Sequence, residues 1–333
     1  YPQKVGTHNG VRECVSVMPA THPTSNIGRS YNVNTQVQPG PSALRSGEGI
    51  HFKAQFERAY TLDPQFLFFT GWNEWVAQRF ISKSGGDYML GKPLPAGGSY
   101  FVDQYNHEFS GDYGDNYYYQ MADFIRRFKG TKPSPTFTTT DTIRIDGQTD
   151  EWKPVQAAYA DDKGDIAFRN HFGYGRMGQL VNTTGRNDIV QAKVANDGTY
   201  LYFYVKTASD ITPYKDKNWM RLFINVIGSD KPNWEHFQYM INGEVTDETT
   251  TSLAVCRGNW NWETQQEISY RVEGSEMELA IPMASLGIKN VRDFKIDFKW
   301  IDNAVSKGDI QECLTDGDAA PNGRFRYRYQ FKK

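Results

Sequence analysis

Residues 70–75, with the sequence Thr-Gly-Trp-Asn-Glu-Trp, place one carboxylate beside a carboxamide and between two indole rings. An apolar run precedes them, so the carboxylate of Glu74 is expected to emerge where a buried strand ends. Cleavage of a glycosidic bond needs this combination: an acid or nucleophile of tuned pKa, an amide that holds a ring hydroxyl, and aromatic walls. Glu74 is therefore a candidate catalytic residue, and the candidate substrate contacts are Trp72, Asn73 and Trp75. The alternative is that the polar pair only caps the strand end while the tryptophans pack.

Two residues farther from this motif are candidates for the same chemistry. Glu108 lies in an aromatic-rich segment and is a candidate to face Glu74. Carboxyl groups about 5–5.5 Å apart would indicate a retaining glycosidase, and groups about 6.5–9.5 Å apart an inverting one. His22 follows a predicted strand that ends at Pro19, and it is a candidate contact for a sugar hydroxyl. Loop carboxylates are more often solvated and lone histidines more often structural, so these alternatives stay open.

Aromatic residues are unusually frequent: 20 Tyr, 20 Phe and 8 Trp make up 14% of the chain. Many of these rings stand among Asn, Asp, Gly and Gln, which favours sugars, because the C–H faces of a sugar stack on rings while its hydroxyls take hydrogen bonds. The alternative is that the rings fill β-sheet cores. The net charge of -2 and the lack of a basic tract argue against a nucleic-acid partner, and no apolar run is long enough to span a membrane. The expected partner is a polysaccharide or oligosaccharide, and the oligomeric state is left open.

The first 130 residues show an alternation of strands and helices. Apolar patterns predict strands at 13–18 and 66–72 and helices at 50–60 and 115–128. Long loops follow the carboxyl ends of both strands, which is where (β/α)8 barrels carry their active sites. Because a whole barrel takes about 250 residues, residues 1–130 are predicted to be the C-terminal portion of an α/β barrel.

Residues 69–75, Phe-Thr-Gly-Trp-Asn-Glu-Trp, resemble the late-strand W-N-E-W signature of barrels similar to glycoside hydrolase families 71 and 99. Residues 101–110 (FVDQYNHEFS) and 114–120 (GDNYYYQ) look like the end of a hydrolase-like subgroup. The resemblance implies hydrolysis of O-glycosyl bonds with no cofactor required for catalysis. Related barrels also accompany polysaccharide biosynthesis, but no nucleotide-sugar site is visible in this sequence.

The rest of the chain has an almost purely β pattern. Prolines and hydroxyl residues at 131–140 predict a short, semi-stiff linker, and residues 141–333 show short strands separated by turn signals. This spacing is typical of a β-sandwich or jelly roll. Residues 143–152 (IRIDGQTDEW) resemble the opening I-D-G-x-x-D-E-W motif of family-9 carbohydrate-binding modules, and 196–205 and 277–287 are similar to later elements of that family. The resemblance implies an all-β sandwich.

Members of that family hold a terminal sugar between two tryptophans, which implies an equivalent pair here. The candidates are Trp219, Trp234, Trp260 and Trp262. Trp260 and Trp262 are favoured, because residues two apart in a strand point to one face, and in a loop both rings can be exposed. The alternative is that either ring packs on the linker or on the barrel, since an aromatic patch also marks a domain contact.

Two acidic groups are candidate ligands for a structural calcium ion, which prefers several oxygen ligands. The first group is Asp146, Asp150 and Glu151, and the second is Asp161, Asp162 and Asp165. The family-9 resemblance implies calcium. The alternative is that both groups are surface carboxylates without a metal.

The three cysteines lack metal-ligand spacing and allow at most one disulfide, between Cys256 and Cys313, and we expect free buried thiols instead. No signal-like stretch follows Tyr1, which fits a mature exported protein or a fragment, and we expect a secreted, periplasmic or cell-surface location. The patterns together predict a glycoside hydrolase acting on a polysaccharide, with an appended carbohydrate-binding-like sandwich. The alternative is a non-catalytic glycan-binding or structural protein with an inactive or truncated barrel.

Overall fold

The computed structural model describes residues 3–19, 49–70, 115–166, 168–172, 179–306 and 308–333, and the backbone of four two-residue strands between positions 80 and 100. The chain divides into two compact units. The first comprises residues 1–132 with 173–178, and the second residues 133–172 with 179–333. The division therefore falls between Lys132 and Pro133, inside the predicted linker at 131–140.

The first unit contains short strands and two helices. In chain order they are β1 (Gly6–His8), β2 (Val11–Val17), α1 (Ile50–Leu62), β3 (Phe66–Phe69), β4 (Phe80–Ile81), β5 (Tyr88–Met89), β6 (Lys92–Pro93), β7 (Ser99–Tyr100) and α2 (Asn116–Lys129). Strand β2 lies at the centre of a three-stranded sheet, with β1 antiparallel on one edge and β3 parallel on the other. The short strands pair antiparallel, β4 with β7 and β5 with β6.

A small aromatic core holds this unit together. Helix α1 places Phe52 and Phe56 one turn apart, and both side chains are fully buried. The ring of Phe56 stacks on that of Phe124 in α2, with centroids 4.2 Å apart and planes 5° apart. The inward side chains of β2, Val15 and Val17, complete the core. The helices and strands predicted here from apolar periodicity are confirmed within one or two residues where the structure describes them.

The predicted fold class is wrong, because no α/β barrel is evident in the described residues and the chain is mostly β. The β2–α1–β3 unit is the repeat from which such barrels are built, so the local pattern is the same in both cases. The outer edge of β2 carries the antiparallel strand β1, however. A parallel barrel cannot continue through an edge that is already occupied in this way.

The second unit is built almost entirely of strands. They are β8 (Ala158–Ala160), β9 (Arg169–Phe172), β10 (Gln179–Asn182), β11 (Ile189–Asn196), β12 (Tyr200–Thr207), β13 (Arg221–Val226), β14 (Tyr239–Val245), β15 (Thr250–Cys256), β16 (Trp262–Glu273), β17 (Glu276–Pro282), β18 (Asp293–Asp302), β19 (Asp318–Ala320) and β20 (Tyr327–Lys332), with a four-residue helix α3 (Glu312–Thr315) before β19. A 3-10 turn at Thr149–Trp152 precedes them.

Eleven of these strands form one curled antiparallel sheet rather than the two separate sheets of the predicted sandwich. Its order is β19-β18-β13-β14-β15-β16-β17-β12-β11-β8, and β20 also pairs with β18. The long strand β16 carries the sheet around the bend, because its first part pairs with β15 and residues from Tyr270 onward pair with β17. A curled sheet and a sandwich give the same alternation of strands and turns, so the sequence pattern does not separate them.

Strand β12 packs against a different group of residues on each of its two faces. Alternate residues Leu201, Phe203 and Val205 are fully buried in the main core of the curled sheet. The residues between them, Tyr202 and Tyr204, pack instead against the 3-10 turn and its Trp152. Strand β12 is therefore buried on both faces.

Part of the predicted linker is also packed on the sheet. The backbone of Phe137 hydrogen-bonds to Gln330 and Lys332 at 2.8 and 3.0 Å, and its ring stacks on Tyr329 with centroids 5.4 Å apart. Cys14, Cys256 and Cys313 are all free; Cys256 and Cys313 are buried as expected, whereas Cys14 is half-buried. Among the described helices, none has the length and apolar character needed to cross a bilayer.

Candidate functional site

The predicted catalytic motif lies outside the described residues. This holds for the candidate catalytic residues Glu74 and Glu108, and for the candidate contacts His22, Trp72, Asn73 and Trp75. Their roles stay predictions.

The structure brings Trp260 and Trp262 together, but not in the parallel arrangement expected of a sugar-holding pair. Their centroids lie 5.7 Å apart with planes at 83°, and Trp234 meets Trp260 edge to face at 4.6 Å. Both rings are partly buried against a cluster that includes Phe223. Trp260 precedes β16, in a turn where Asn259 has a left-handed backbone, so the spacing of two does not follow strand geometry. Sugar binding by this pair stays a prediction, and the observed contacts are those of packing.

A cleft elsewhere on the second unit has the features of a ligand site. Its volume is about 340 Å³, and it is lined by Ile211, Thr212, Pro213, Tyr214, Lys215, Trp219, Glu248, Tyr270 and Val272. We call it the Tyr214 cleft. The residues from 211 to 219 join β12 to β13, Glu248 lies between β14 and β15, and Tyr270 belongs to β16.

Aromatic rings form the apolar part of the Tyr214 cleft. Trp219 and Tyr270 are 3% and 1% exposed, so they form its floor, and their rings meet edge to face at 5.8 Å. Tyr214 is only partly buried, and Lys215 Nζ lies 5.6 Å from the centroid of its ring. A partly exposed ring that lines the same cleft as two buried aromatic residues is suited to stacking with a ligand.

The polar tips of the floor residues are already satisfied by the backbone. The Trp219 indole N–H donates to the carbonyl of Thr212 at 2.8 Å, and the Tyr270 hydroxyl donates to the carbonyl of Asp247 at 2.7 Å. Burial also raises the pKa of Tyr270. The hydroxyl therefore stays protonated near neutral pH. The polar groups left for a ligand are the side chains of Lys215 and Glu248 and the O–H of Thr212, whose oxygen already accepts from Asn187.

Sequence reasoning found one residue of this cleft and missed the others. Trp219 is among the four candidate tryptophans, but Tyr214, Glu248 and Tyr270 come from separate segments that only the folded sheet brings together. The available signal was the stretch 211–219 (ITPYKDKNW), where two aromatic residues stand among charged ones between two strands.

A second feature is a cluster of three carboxylates, Asp161, Asp165 and Asp318, whose ligand atoms lie within 4.8 Å of one another. We call it the Asp318 cluster. Asp318 is 2% exposed and accepts backbone N–H groups of Ile189 and Ala319 at 2.5 and 2.8 Å. Burial, reinforced by the neighbouring carboxylates, raises the pKa of Asp318 to about 8 and that of Asp161 to about 7.

The Asp318 cluster has the donor set of a divalent-cation site. One oxygen of Asp161 accepts from the Tyr327 hydroxyl and one of Asp165 from the Asn322 amide. The other oxygens, Asp161 Oδ2 and Asp165 Oδ1, are buried without a hydrogen-bond partner. Converging carboxylates with unpaired oxygens need protons or a cation, and hard oxygen ligands suit Ca²⁺. The three carboxylates would hold such an ion.

This cluster overlaps the second acidic group of the sequence but adds a residue far along the chain. Asp161 and Asp165 belong to that group, Asp162 is not a member of the cluster, and Asp318 comes from β19. A buried ammonium compensates part of the negative charge, because Lys299 is fully buried and its positive charge acts to lower the pKa of Asp161.

The first acidic group is used locally. Asp150 pairs with Lys153 at 2.6 Å and is 86% exposed. Glu151 accepts the backbone N–H of Arg144 at 2.8 Å, and Asp146 accepts that of Gln148 at 2.9 Å. Among the described residues, the Asp318 cluster is the only group of three such ligands that converges. Calcium binding by Asp146, Asp150 and Glu151 stays a prediction.

Comparison with known proteins adds a likeness of fold and no more. No protein family and no curated protein matches the sequence. A solved structure described as a "putative carbohydrate-binding protein" from Bacteroides uniformis ATCC 8492 is similar to 61% of this chain and over 100% of its own, with a TM-score of 0.36 and 11% identity. A likeness at that level shows nothing about function.

Proposed function

We propose that the second unit binds a carbohydrate, an oligosaccharide or a polysaccharide segment, in the Tyr214 cleft. The observation that carries this proposal is the combination of an aromatic floor, a partly exposed ring and a polar rim in a volume of about 340 Å³. Ligand sites are usually concave, largely apolar and equipped with a few polar groups that fix orientation. The C–H face of a sugar stacks on Tyr214 while its hydroxyls reach the rim.

The rim favours a neutral polyhydroxy ligand over a charged one. Lys215 offers only donors, Glu248 accepts, and the Thr212 hydroxyl, which accepts from Asn187, still has its O–H to donate. The ammonium and the carboxylate balance each other, so neither a polyanion nor a polycation is favoured, whereas sugar hydroxyls can donate to the carboxylate and accept from the ammonium. An exported location, which the sequence predicts, agrees with a polysaccharide ligand.

The test is a glycan array probed with the whole chain, followed by calorimetric titration of the strongest neutral oligosaccharide. We expect Tyr214→Ala to weaken binding by about tenfold or more, taking the value of about 1–3 kcal/mol that a nucleobase gains by stacking on an aromatic side chain as the scale for a stacked sugar ring. The matched control is Tyr200→Ala, since Tyr200 is 39% exposed on the same unit and does not line the cleft. Absence of any glycan binding, or equal losses in both variants, would contradict the proposal.

Hydrolysis is a separate prediction of the sequence. It depends on Glu74 and Glu108, which lie outside the described residues. Its test is the loss of glycan cleavage in Glu74→Gln, with binding at the Tyr214 cleft measured on the same variant. Retained binding with lost cleavage would separate a catalytic carboxylate from the binding site.

A further inference from the structure

Trp219, which forms the floor of the Tyr214 cleft together with Tyr270, lies between two residues of unusual backbone conformation. The residues on either side of it, Asn218 and Met220, have left-handed φ values of 55° and 35°. Non-glycine residues adopt this conformation at a cost in free energy. The side chain of methionine, unlike that of asparagine, cannot offset this cost with a hydrogen bond to the local backbone. Such a conformation persists only where the surroundings hold it.

A buried ion pair holds one end of this loop. The carboxylate of Asp302 in β18 is fully buried and accepts the backbone N–H of Met220 at 2.9 Å. The guanidinium of Arg186 donates through Nε to Asp302 at 2.8 Å and through Nη2 to the carbonyl of Lys217 at 2.6 Å. The Arg186 fork therefore ties the loop to the sheet before Trp219, and the Asp302 carboxylate ties it after Trp219.

A buried amide holds the other end. Asn187 is 5% exposed, accepts the backbone N–H of Thr212 at 2.9 Å and donates to its hydroxyl at 2.9 Å. The carbonyl of the same Thr212 accepts the indole N–H of Trp219. Asn187 therefore fixes the residue to which the indole ring is tied.

We infer that Arg186 and Asn187 are positioning residues for the carbohydrate site, acting through Trp219 and Thr212 without lining the cleft themselves. This inference rests on the proposed function. The ring pose depends on a loop whose strained backbone is held from outside the cleft, so loosening either contact lets the floor move. A ligand that stacks on a fixed floor then loses affinity even though every group in contact with it is unchanged.

The first variant is Arg186→Lys, which keeps the positive charge beside Asp302 but lacks the second arm that reaches Lys217. Its matched control is Arg328→Lys. Arg328 forks onto Asp297 at 2.8 and 3.1 Å in the same sheet and has no hydrogen bond to the residues from 211 to 220. Both variants lose an arginine fork on an aspartate of β18; Arg186 is 15% exposed and Arg328 45%, and only Arg186 contacts the cleft loop.

Two readouts are taken on the full chain. The first is hydrogen exchange of the Trp219 indole N–H in ¹⁵N-labelled protein, assigned with Trp219→Phe. The second is the dissociation constant for the neutral oligosaccharide selected on the array. In Arg186→Lys we expect the exchange rate of the indole N–H and the dissociation constant each to rise about tenfold, a change typical of losing a charge-assisted hydrogen bond. In Arg328→Lys we expect both quantities to stay within about twofold of the parent values.

A second variant and its control keep the test decisive if Arg186→Lys fails to fold. Asn187→Gly removes the amide but tolerates the left-handed backbone, where φ is 53°, and Asn259→Gly makes the same change at φ 50° outside the cleft. The inference is overturned if the exchange rate of the indole N–H is unchanged in both cleft variants, or if it changes equally in each variant and its control. If the parent protein binds no glycan, the proposed function fails, and the exchange data alone then decide the positioning role.

Discussion

The indole N–H of Trp152 donates to Oε2 of Glu278 at a distance of 2.9 Å, across 126 positions of sequence. The other carboxylate oxygen accepts the backbone N–H groups of Asp146 and Gly147 at 3.0 and 2.8 Å. Glu278 and Trp152 are each 1% exposed, so the carboxylate is satisfied by these protein donors. The opening motif of the second unit is thereby tied to β17, in the middle of the curled sheet.

Replacing Glu278 by Leu is expected to lower the free energy of unfolding by about 2–4 kcal/mol, because the buried Trp152 indole N–H and two partly buried backbone donors lose their acceptor together. Urea denaturation of the whole chain measures the change. The matched control is Glu273→Leu, since Glu273 is exposed at the end of the neighbouring strand and should stay within about 0.5 kcal/mol of the parent. A loss below about 1 kcal/mol at position 278 would contradict the role assigned to this carboxylate.

Local sequence features predicted the elements of the fold but not their partners. Apolar periodicity predicted α1 and α2, and the motif at 143–152, which contains Trp152, indicated the all-β character of the second unit. The acceptor Glu278 lies far along the chain, and a pattern within one segment carries no information about which strand a side chain will meet. The curl of the sheet depends on strand pairing along β16 for the same reason.

The residues of the candidate site were likewise predictable only where they are close in sequence. Trp219 was visible as an aromatic among charged residues, whereas Tyr270 resembles any buried strand residue until the sheet brings it to the cleft. Asp161 and Asp165 are neighbours in sequence, and their spacing pointed to a shared site. Asp318, the most deeply buried ligand of that group, arrives from a different strand and could not be predicted from spacing.

The Asp318 cluster predicts a definite dependence of stability on pH when no divalent cation is present. The folded pKa values are about 7 for Asp161 and about 8 for Asp318, both above the unfolded value. Above the unfolded pKa of about 4, the unfolded chain holds fewer protons than the folded one, so the free energy of unfolding falls as pH rises toward 8.

Urea denaturation in a chelator, from about pH 5 to about pH 8, checks this slope. The window ends there because the pKa of the fully buried Lys299 is lowered by burial to about 8, and its titration above that value acts in the opposite direction. Asp318→Asn should flatten the profile. A free energy of unfolding that rises with pH across this window in the parent, with no change in the variant, would contradict the prediction.

Calcium is expected to stabilise the protein through the same cluster. An ion that binds only the folded state at about 100 times its dissociation constant adds about 2.7 kcal/mol, and each kcal/mol corresponds to a shift of about 2–4 °C in Tm. Thermal unfolding with Ca²⁺ and with chelator measures the shift. We expect it in the parent and in Asp162→Asn, because Asp162 is exposed and outside the cluster, and we expect its loss in Asp161→Asn. Equal shifts in both variants would place the ion elsewhere.

Substitution of Trp260 tests whether the cluster that it forms with Phe223 and Trp234 serves packing or sugar contact. Its ring lies edge to face against Trp234 at 4.6 Å and under the guanidinium of Arg221 at 5.7 Å. Trp260→Ala should therefore lower the free energy of unfolding by about 2–4 kcal/mol, somewhat less than for a fully buried tryptophan. At a temperature well below its Tm, the variant should bind the selected oligosaccharide as the parent does, because the Tyr214 cleft does not include this ring. If Trp260→Ala instead kept its stability and lost binding, the cluster would be the sugar site and the Tyr214 cleft would not.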